Sequence, residues 1–176
     1  MKFSEVRPLY KKGSTAEFSN YRPVSLLVSF SKISEKIIYK RLYNYCLEHE
    51  ILVKEQFGFR EGLSTDTATY VFLNSILRSH DHKHLVGGLF CDLQKAFDCV
   101  NHHILLKKLE FYGITGTANQ FMKSYLNDRF QQVIFKDSTH LKTTSEWVAM
   151  EHGVPQGSVL GPLLFLICIN DFVHVI

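Results

Sequence analysis

No run of about 18 apolar residues occurs in this chain of 176 residues, so neither a membrane span nor a membrane partner is expected. Met1 to Tyr10 lacks the apolar core of a secretion signal. Cysteine is scarce: Cys46, Cys91, Cys99 and Cys168 form no Cys-x-x-Cys pair. That argues against a disulfide framework and a cysteine zinc site, and suits a reducing compartment. Internal repeats and low-complexity tracts are missing as well. Net charge is a mild +3, but it is unevenly spread. Residues 1–60 carry eleven Lys/Arg against six Asp/Glu, and the remainder nine against eleven. A basic front and a slightly acidic back fit a polyanion-facing surface followed by a metal-facing one. A solvated face without a partner explains the charge at least as well. The 45% of hydrophobic residues suffices for one core of ordinary size.

Periodicity organises the rest. A helix is expected over 31–48, with Ser31 as N-cap and Phe30, Ile33, Ile37, Leu42 and Tyr45 inward. The stretch 13–20 is a polar loop, and 56–65 is irregular. A second helix is expected over 67–79, with Val71, Phe72, Ile76 and Leu77 inward. His80-Asp-His-Lys-His84 reads as a loop tip; its three histidines offer a metal site only as a minor alternative. Leu85 to Leu93 reads as a buried strand. Asn101 caps a helix that runs to Phe111 and stops at Gly113. Further helices are expected over 118–126 and from Pro162, with strands over 131–135 and 146–150 joined across the polar stretch 136–145. Helices and strands alternate without βαβ regularity, which makes the fold class α+β.

Three segments carry chemistry. Asp92 ends an otherwise apolar strand, where an unpaired carboxylate is costly. Two readings stand level: a magnesium ligand, or a cap on the turn after the strand. Gly153-Val-Pro-Gln-Gly-Ser-Val-Leu-Gly-Pro162 is an irregular backbone leading into an apolar helix, able to approach a ligand closely or to be an ordinary helix entry. Tyr10-Lys-Lys-Gly13 and Asn20-Tyr-Arg-Pro-Val-Ser-Leu-Leu27 bring Lys11, Lys12 and Arg22 near one another. Arg22 precedes a proline and belongs in extended backbone. Its fork suits a triphosphate, although a solvated arginine is the commoner case.

Five segments in order resemble one family: Asn20-Tyr-Arg-Pro-Val-Ser-Leu-Leu27, Ser31-Lys-Ile-Ser-Glu-Lys36, Gln56-Phe-Gly-Phe-Arg60 with Ser64-Thr65, Phe90-Cys-Asp-Leu-Gln-Lys-Ala-Phe-Asp98, and Gly153 through Phe165. Together they are similar to the reverse transcriptase domain of non-LTR (LINE, jockey-like) retrotransposons. The resemblance implies a right-hand polymerase with fingers and a partial palm, the thumb absent. Fingers would occupy most of 1–85, a palm strand 86–101, palm helices and a return to the fingers 102–152, and a palm loop and helix 153–176. Asp92 would be the first catalytic aspartate and bind two Mg2+ ions, with the Leu93 carbonyl as a further ligand. Phe97 would be the steric gate beneath the nucleotide sugar; without the resemblance it reads as a core aromatic. Gln156 would lie along the nucleotide, with Gly157 giving clearance. Arg22 and Lys11, with Lys12 as its rival, would contact the triphosphate, and Phe57 and Arg60 the template. Asp98 would hold the turn into the next helix.

The implied partners are an RNA template, a DNA primer and a dNTP. The family's second aspartate pair, in an Ala-Asp-Asp hairpin, is found nowhere in the chain, and Asp171 is not a substitute for it. A fragment without polymerase activity is therefore expected, prone to aggregate through an exposed strand edge and an uncovered apolar helix face. The alternative is a non-catalytic RNA-binding module.

Overall fold

A computed structural model describes residues 2–136 and 141–174. Its architecture is mixed α/β. Strands β1 (Phe3–Tyr10), β2 (Tyr21–Leu26), β3 (Phe130–Lys136), β4 (Lys142–Thr144) and β5 (Val148–Ala149) form one sheet in the order β2-β1-β3-β4, with β5 also pairing β3. β1 and β2 are an antiparallel hairpin in which Arg22 faces Leu9 and Pro23 faces Pro8. β1 then runs parallel to β3, with Val6 opposite Val133. The expected pairing of 131–135 with 146–150 is present as β3 and β5, and the polar stretch between them adds β4. Residues 137–140 of that stretch lie outside the described residues.

The core is helical. Helices α1 (Ser29–Glu48), α3 (His102–Phe111), α4 (Gly116–Leu126) and α5 (Gly161–Ile169) bury Leu42, Cys46, Leu105, Leu109, Leu126, Leu164 and Ile167 together. Local chemistry explains their ends. The Asn101 side chain accepts a hydrogen bond from the Ile104 N–H, 3.0 Å away. Gly113, at φ +87°, ends α3 where a side chain would be strained. Pro162 stands in the first turn of α5.

Several expectations are corrected. α1 begins at Ser29 with Val28 as its cap residue, and Ser31 is buried inside the first turn. Phe30, Ile33 and Ile37 are exposed, because the helix is turned to bury Glu35, whose carboxylate has partners inside. A paired carboxylate outweighs two isoleucines in choosing the face. Helix α2 (Thr65–Asp81), capped by the Ser64 side chain, buries no residue; Val71, Phe72 and Leu77 are exposed because no other element closes over them.

The largest correction concerns 85–93. The segment is not a strand, and Leu85, Leu89, Phe90 and Leu93 are exposed. A strand needs a neighbour to take its backbone hydrogen bonds. Among the described residues no strand of the β1–β5 sheet pairs with this segment. Uncovered apolar surface is found on α1, on α2 and on this segment, where Phe72 meets Phe90 edge-on at 5.9 Å, whereas α5 is well covered.

Thiol reactivity reads this arrangement directly. Cys91 and Cys99 are exposed, Cys168 is intermediate, and Cys46 is buried with burial pushing its thiol up to about 11. The thiolate is the reactive form. A maleimide at pH 7.5 is therefore expected to modify Cys91 and Cys99 first and Cys46 only after unfolding. Protection of Cys91 in the native chain would restore the buried strand.

Candidate active site

One open cleft of about 1360 Å³ gathers residues from distant stretches of the chain. Lys11 reaches it from the end of β1 and Arg22 from β2; Leu93 and Phe97 come from the segment before α3; Gln156 and Gly157 come from the loop before α5. Lys12 is not in its lining. The loop is pinned on both sides. The Ser25 N–H donates to the Gln156 carbonyl at 2.7 Å, and the Val154 N–H donates to the Phe97 carbonyl at 2.8 Å. Buried His102 contacts the Gly153 carbonyl through Nε2 at 2.7 Å.

Two glycines permit this approach. Gly153 (φ +85°) would place a Cβ 2.9 Å from the Asp98 backbone, and Gly157 (φ +104°) would place one 2.9 Å from the Ser25 carbonyl oxygen. No other residue fits either place without moving the backbone.

Phe97 is held between two rings. Phe165 of α5 lies at 5.0 Å, and Phe59 meets it edge-on at 5.7 Å. Phe59 lines the cleft with a positive φ of 56°, a conformation rare for a bulky residue. Phe57 and Arg60, the residues assigned to the template, do not line it. The Arg60 guanidinium instead donates to the carbonyls of Val53 (2.9 Å) and Gln56 (3.3 Å), which staples its own loop. The motif Gln56 to Arg60 contained the cleft residue, but nothing in its pattern distinguished Phe59 from Phe57.

Glu35 was missed too. Only 2% exposed, it accepts from the Val159 N–H at 2.6 Å through Oε2 and from the Tyr125 hydroxyl at 2.9 Å through Oε1. Burial first, and then this carboxylate, push the Tyr125 phenol well above its usual range. Buried Arg129 lies over the Tyr125 ring at 4.9 Å and opposes that shift. Glu35 thus anchors the loop of Gln156 from behind. Its signal was a glutamate at a position where helical periodicity alone gives no inward partner.

The cleft is electropositive: Lys11, Arg22 and Lys95 face one carboxylate, Asp98. Partial burial pushes the Asp98 carboxyl up, against the pull of Lys95. The turn into α3 is closed by the Asp98 N–H donating to the Lys95 carbonyl, while the cap itself is Asn101. Asp92 is exposed and absent from the lining, although the next residue, Leu93, belongs to it.

A site for two Mg2+ ions does not fit these residues. Among the described residues no group of three or more His, Cys, Asp or Glu side chains could hold a metal, the His80–His84 stretch included. Asp171 is taken by Lys108, which holds its carboxyl below the usual range. No described helix is long and apolar enough to cross a membrane.

The cleft is thus electropositive, floored by an aromatic ring and walled by a glycine-bearing loop. The chain belongs to the reverse transcriptase (RNA-dependent DNA polymerase) family, whose model matches residues 10–176. Within it, the similarity is to the jockey-like, non-LTR branch. The chain is 37% identical to the probable RNA-directed DNA polymerase from transposon BS of Drosophila melanogaster over 97% of its length. Identities are 36% to the probable RNA-directed DNA polymerase from transposon X-element and 34% to the RNA-directed DNA polymerase from mobile element jockey, both of the same fly and both over 97% of this chain. It spans only 18% of the length of each of the three.

Proposed function

We propose that the cleft is the nucleotide-facing surface of a reverse transcriptase that, in the whole protein, adds dNTPs to a DNA primer on an RNA template. The observation that carries this is the convergence of Lys11, Arg22, Phe97, Gln156 and Gly157 on one cleft, although they span most of the chain. Arg22 and Lys11 grip the triphosphate, the arginine through its fork. Phe97, fixed by Phe59 and Phe165, lies beneath the sugar and leaves no room for a 2′-hydroxyl. Gln156 runs beside the nucleotide, and Gly157 keeps the backbone clear. Asp92 and the Leu93 carbonyl would be ligands of a metal site in the whole protein, whose other ligands these residues do not supply.

In the same reading the β1–β5 sheet with α1 and α2 forms the fingers, and α3 to α5 with the loop at 153–161 form the palm. The parallel pairing of β3 with β1 supports a return of the chain from palm to fingers.

The test is nucleotide binding by the 176-residue chain. Hydrogen bonds to charged groups contribute about 1.5–3 kcal/mol, so Arg22→Gln is expected to weaken dATP binding by roughly tenfold or more. Phe97→Ala is expected to bring ATP close to dATP in affinity. Unchanged dATP affinity in Arg22→Gln would overturn the assignment. A second reading is a non-catalytic RNA-binding module, which the positive charge lining the cleft also suits. In that case Arg22→Gln lowers RNA affinity and dATP does not compete.

A further inference from the structure

Phe59 stands in the left-handed region at φ +56° and is 56% exposed. Non-glycine residues rarely take that backbone, and a bulky one is an outlier there. The motif's own glycine is next door, yet Gly58 is not the residue with the positive φ. A ring that stays more than half open gains little from burial, so core stability does not account for it. The surrounding loop holds the conformation in place. Buried Asn170, just after α5, accepts from the Val53 N–H at 3.0 Å and donates to the Ile51 carbonyl at 2.7 Å. Arg60 ties the carbonyls of Val53 and Gln56 to its own end of the loop. The Glu61 N–H donates to the Tyr43 hydroxyl of α1 at 3.2 Å. What this bracket presents to the cleft is the Phe59 ring, edge-on to Phe97 with 83° between the ring planes. The other neighbour of Phe97, Phe165, belongs to the covered helix α5 and is packed against the core. The Phe97 backbone is tied through its carbonyl to the Val154 N–H, and its ring lies between the two aromatic neighbours.

Resting on the reading of Phe97 as the ring beneath the nucleotide sugar, we propose that Phe59 is a positioning residue for sugar discrimination, held against Phe97 by the bracket 51–61. Backbone strain of this kind persists where the surroundings over-determine it, and it clusters where a site uses it. Phe59 acts through Phe97: its edge keeps that ring from tilting out of the path of the sugar. Held so, Phe97 excludes a 2′-hydroxyl; freed on that side, it turns and admits one. The bracket thereby sets the sugar selectivity of a cleft whose lining it enters only through Phe59.

The test is titration of the 176-residue chain with dATP and with ATP in magnesium buffer, read as the ratio of the two affinities. An edge-on aromatic contact is worth about twofold to tenfold in an equilibrium. Phe59→Gly removes the ring and takes the left-handed backbone without strain. It is expected to tighten ATP by roughly threefold to tenfold, within the worth of that contact, and to leave dATP unchanged to within about twofold. Its melting temperature should hold, since the lost ring was mostly exposed and the strain is relieved. Phe59→Tyr keeps the ring edge and should match the wild type. A merely structural role would instead lower both affinities together and lower the melting temperature, and that result overturns the proposal. So does an unchanged ratio in Phe59→Gly while Phe97→Ala shifts it. If Phe97→Ala leaves the ratio unchanged as well, the sugar-facing reading of Phe97 falls first, and the proposal falls with it.

Discussion

Supplied with oligo(dT) on poly(rA), dTTP and magnesium, the purified 176-residue chain is expected to add no nucleotide, and Asp92→Asn is expected to change nothing. Transfer of this kind uses two metals that stabilise the attacking and leaving oxygens. The chain contains no Ala-Asp-Asp, and among its described residues no cluster of three potential ligands. One carboxylate and one carbonyl cannot hold two dications at a working separation. Each 1.36 kcal/mol of lost transition-state stabilisation is about tenfold in rate, and metal ions contribute several kcal/mol, so the deficit is roughly a thousandfold or more. The geometry deepens it. Asp92 stands in an exposed segment with no strand beside it, so even the ligand that is present is not held in place. Extension of the primer that needs magnesium and disappears in Asp92→Asn would overturn this.

What the sequence made legible was mostly local. Asn101 as a cap, Gly113 as a stop and Pro162 in a first turn each follow from a single residue's backbone preference, and each is found in the fold. Part of the cleft lining was legible for a different reason: five segments in a fixed order identify a family, which pointed to Lys11, Arg22, Phe97, Gln156 and Gly157, while Asp92, Phe57 and Arg60 lie outside the lining. Faces were harder. In α1 the apolar positions Phe30, Ile33 and Ile37 look inward by period, yet the helix is turned by Glu35, whose partners Val159 and Tyr125 lie more than 80 residues away. Nothing near Glu35 in the chain announces them. Strand β1 went unread because Phe3–Tyr10 has Pro8 within it and only weak alternation; its partners β2 and β3 determine it. The 85–93 segment failed in the opposite direction. Its composition suits a strand, but composition cannot supply the neighbour that a strand requires.

The largest expected effect on stability belongs to Glu35. Replacing it with alanine leaves the Val159 N–H and the Tyr125 hydroxyl without their partner, in a place where little water reaches. Each bond to a charged acceptor is worth about 1.5–3 kcal/mol, so Glu35→Ala should lose roughly 3–5 kcal/mol. That is a large part of the 5–15 kcal/mol, or thereabouts, that holds an ordinary domain together. For a chain of this size it corresponds to a fall in Tm of about 10 °C. Glu35→Gln discriminates between charge and connectivity. Its amide oxygen can still accept from Val159 and its NH2 can donate to the Tyr125 oxygen, while the cost of burying a carboxylate disappears. Gln should therefore recover most of the loss, to within about 1–2 kcal/mol of the wild type by the same hydrogen-bond accounting. Urea unfolding of the three proteins measures this. Amide exchange at Val159, fast in Ala and slow in Gln, localises it to the loop that carries Gln156 and Gly157. If Ala is as stable as the wild type, the loop is held by Ser25, Phe97 and His102 alone, and Glu35 is a tolerated burial instead of an anchor. If Ala is unstable and Gln equally so, the negative charge itself is needed.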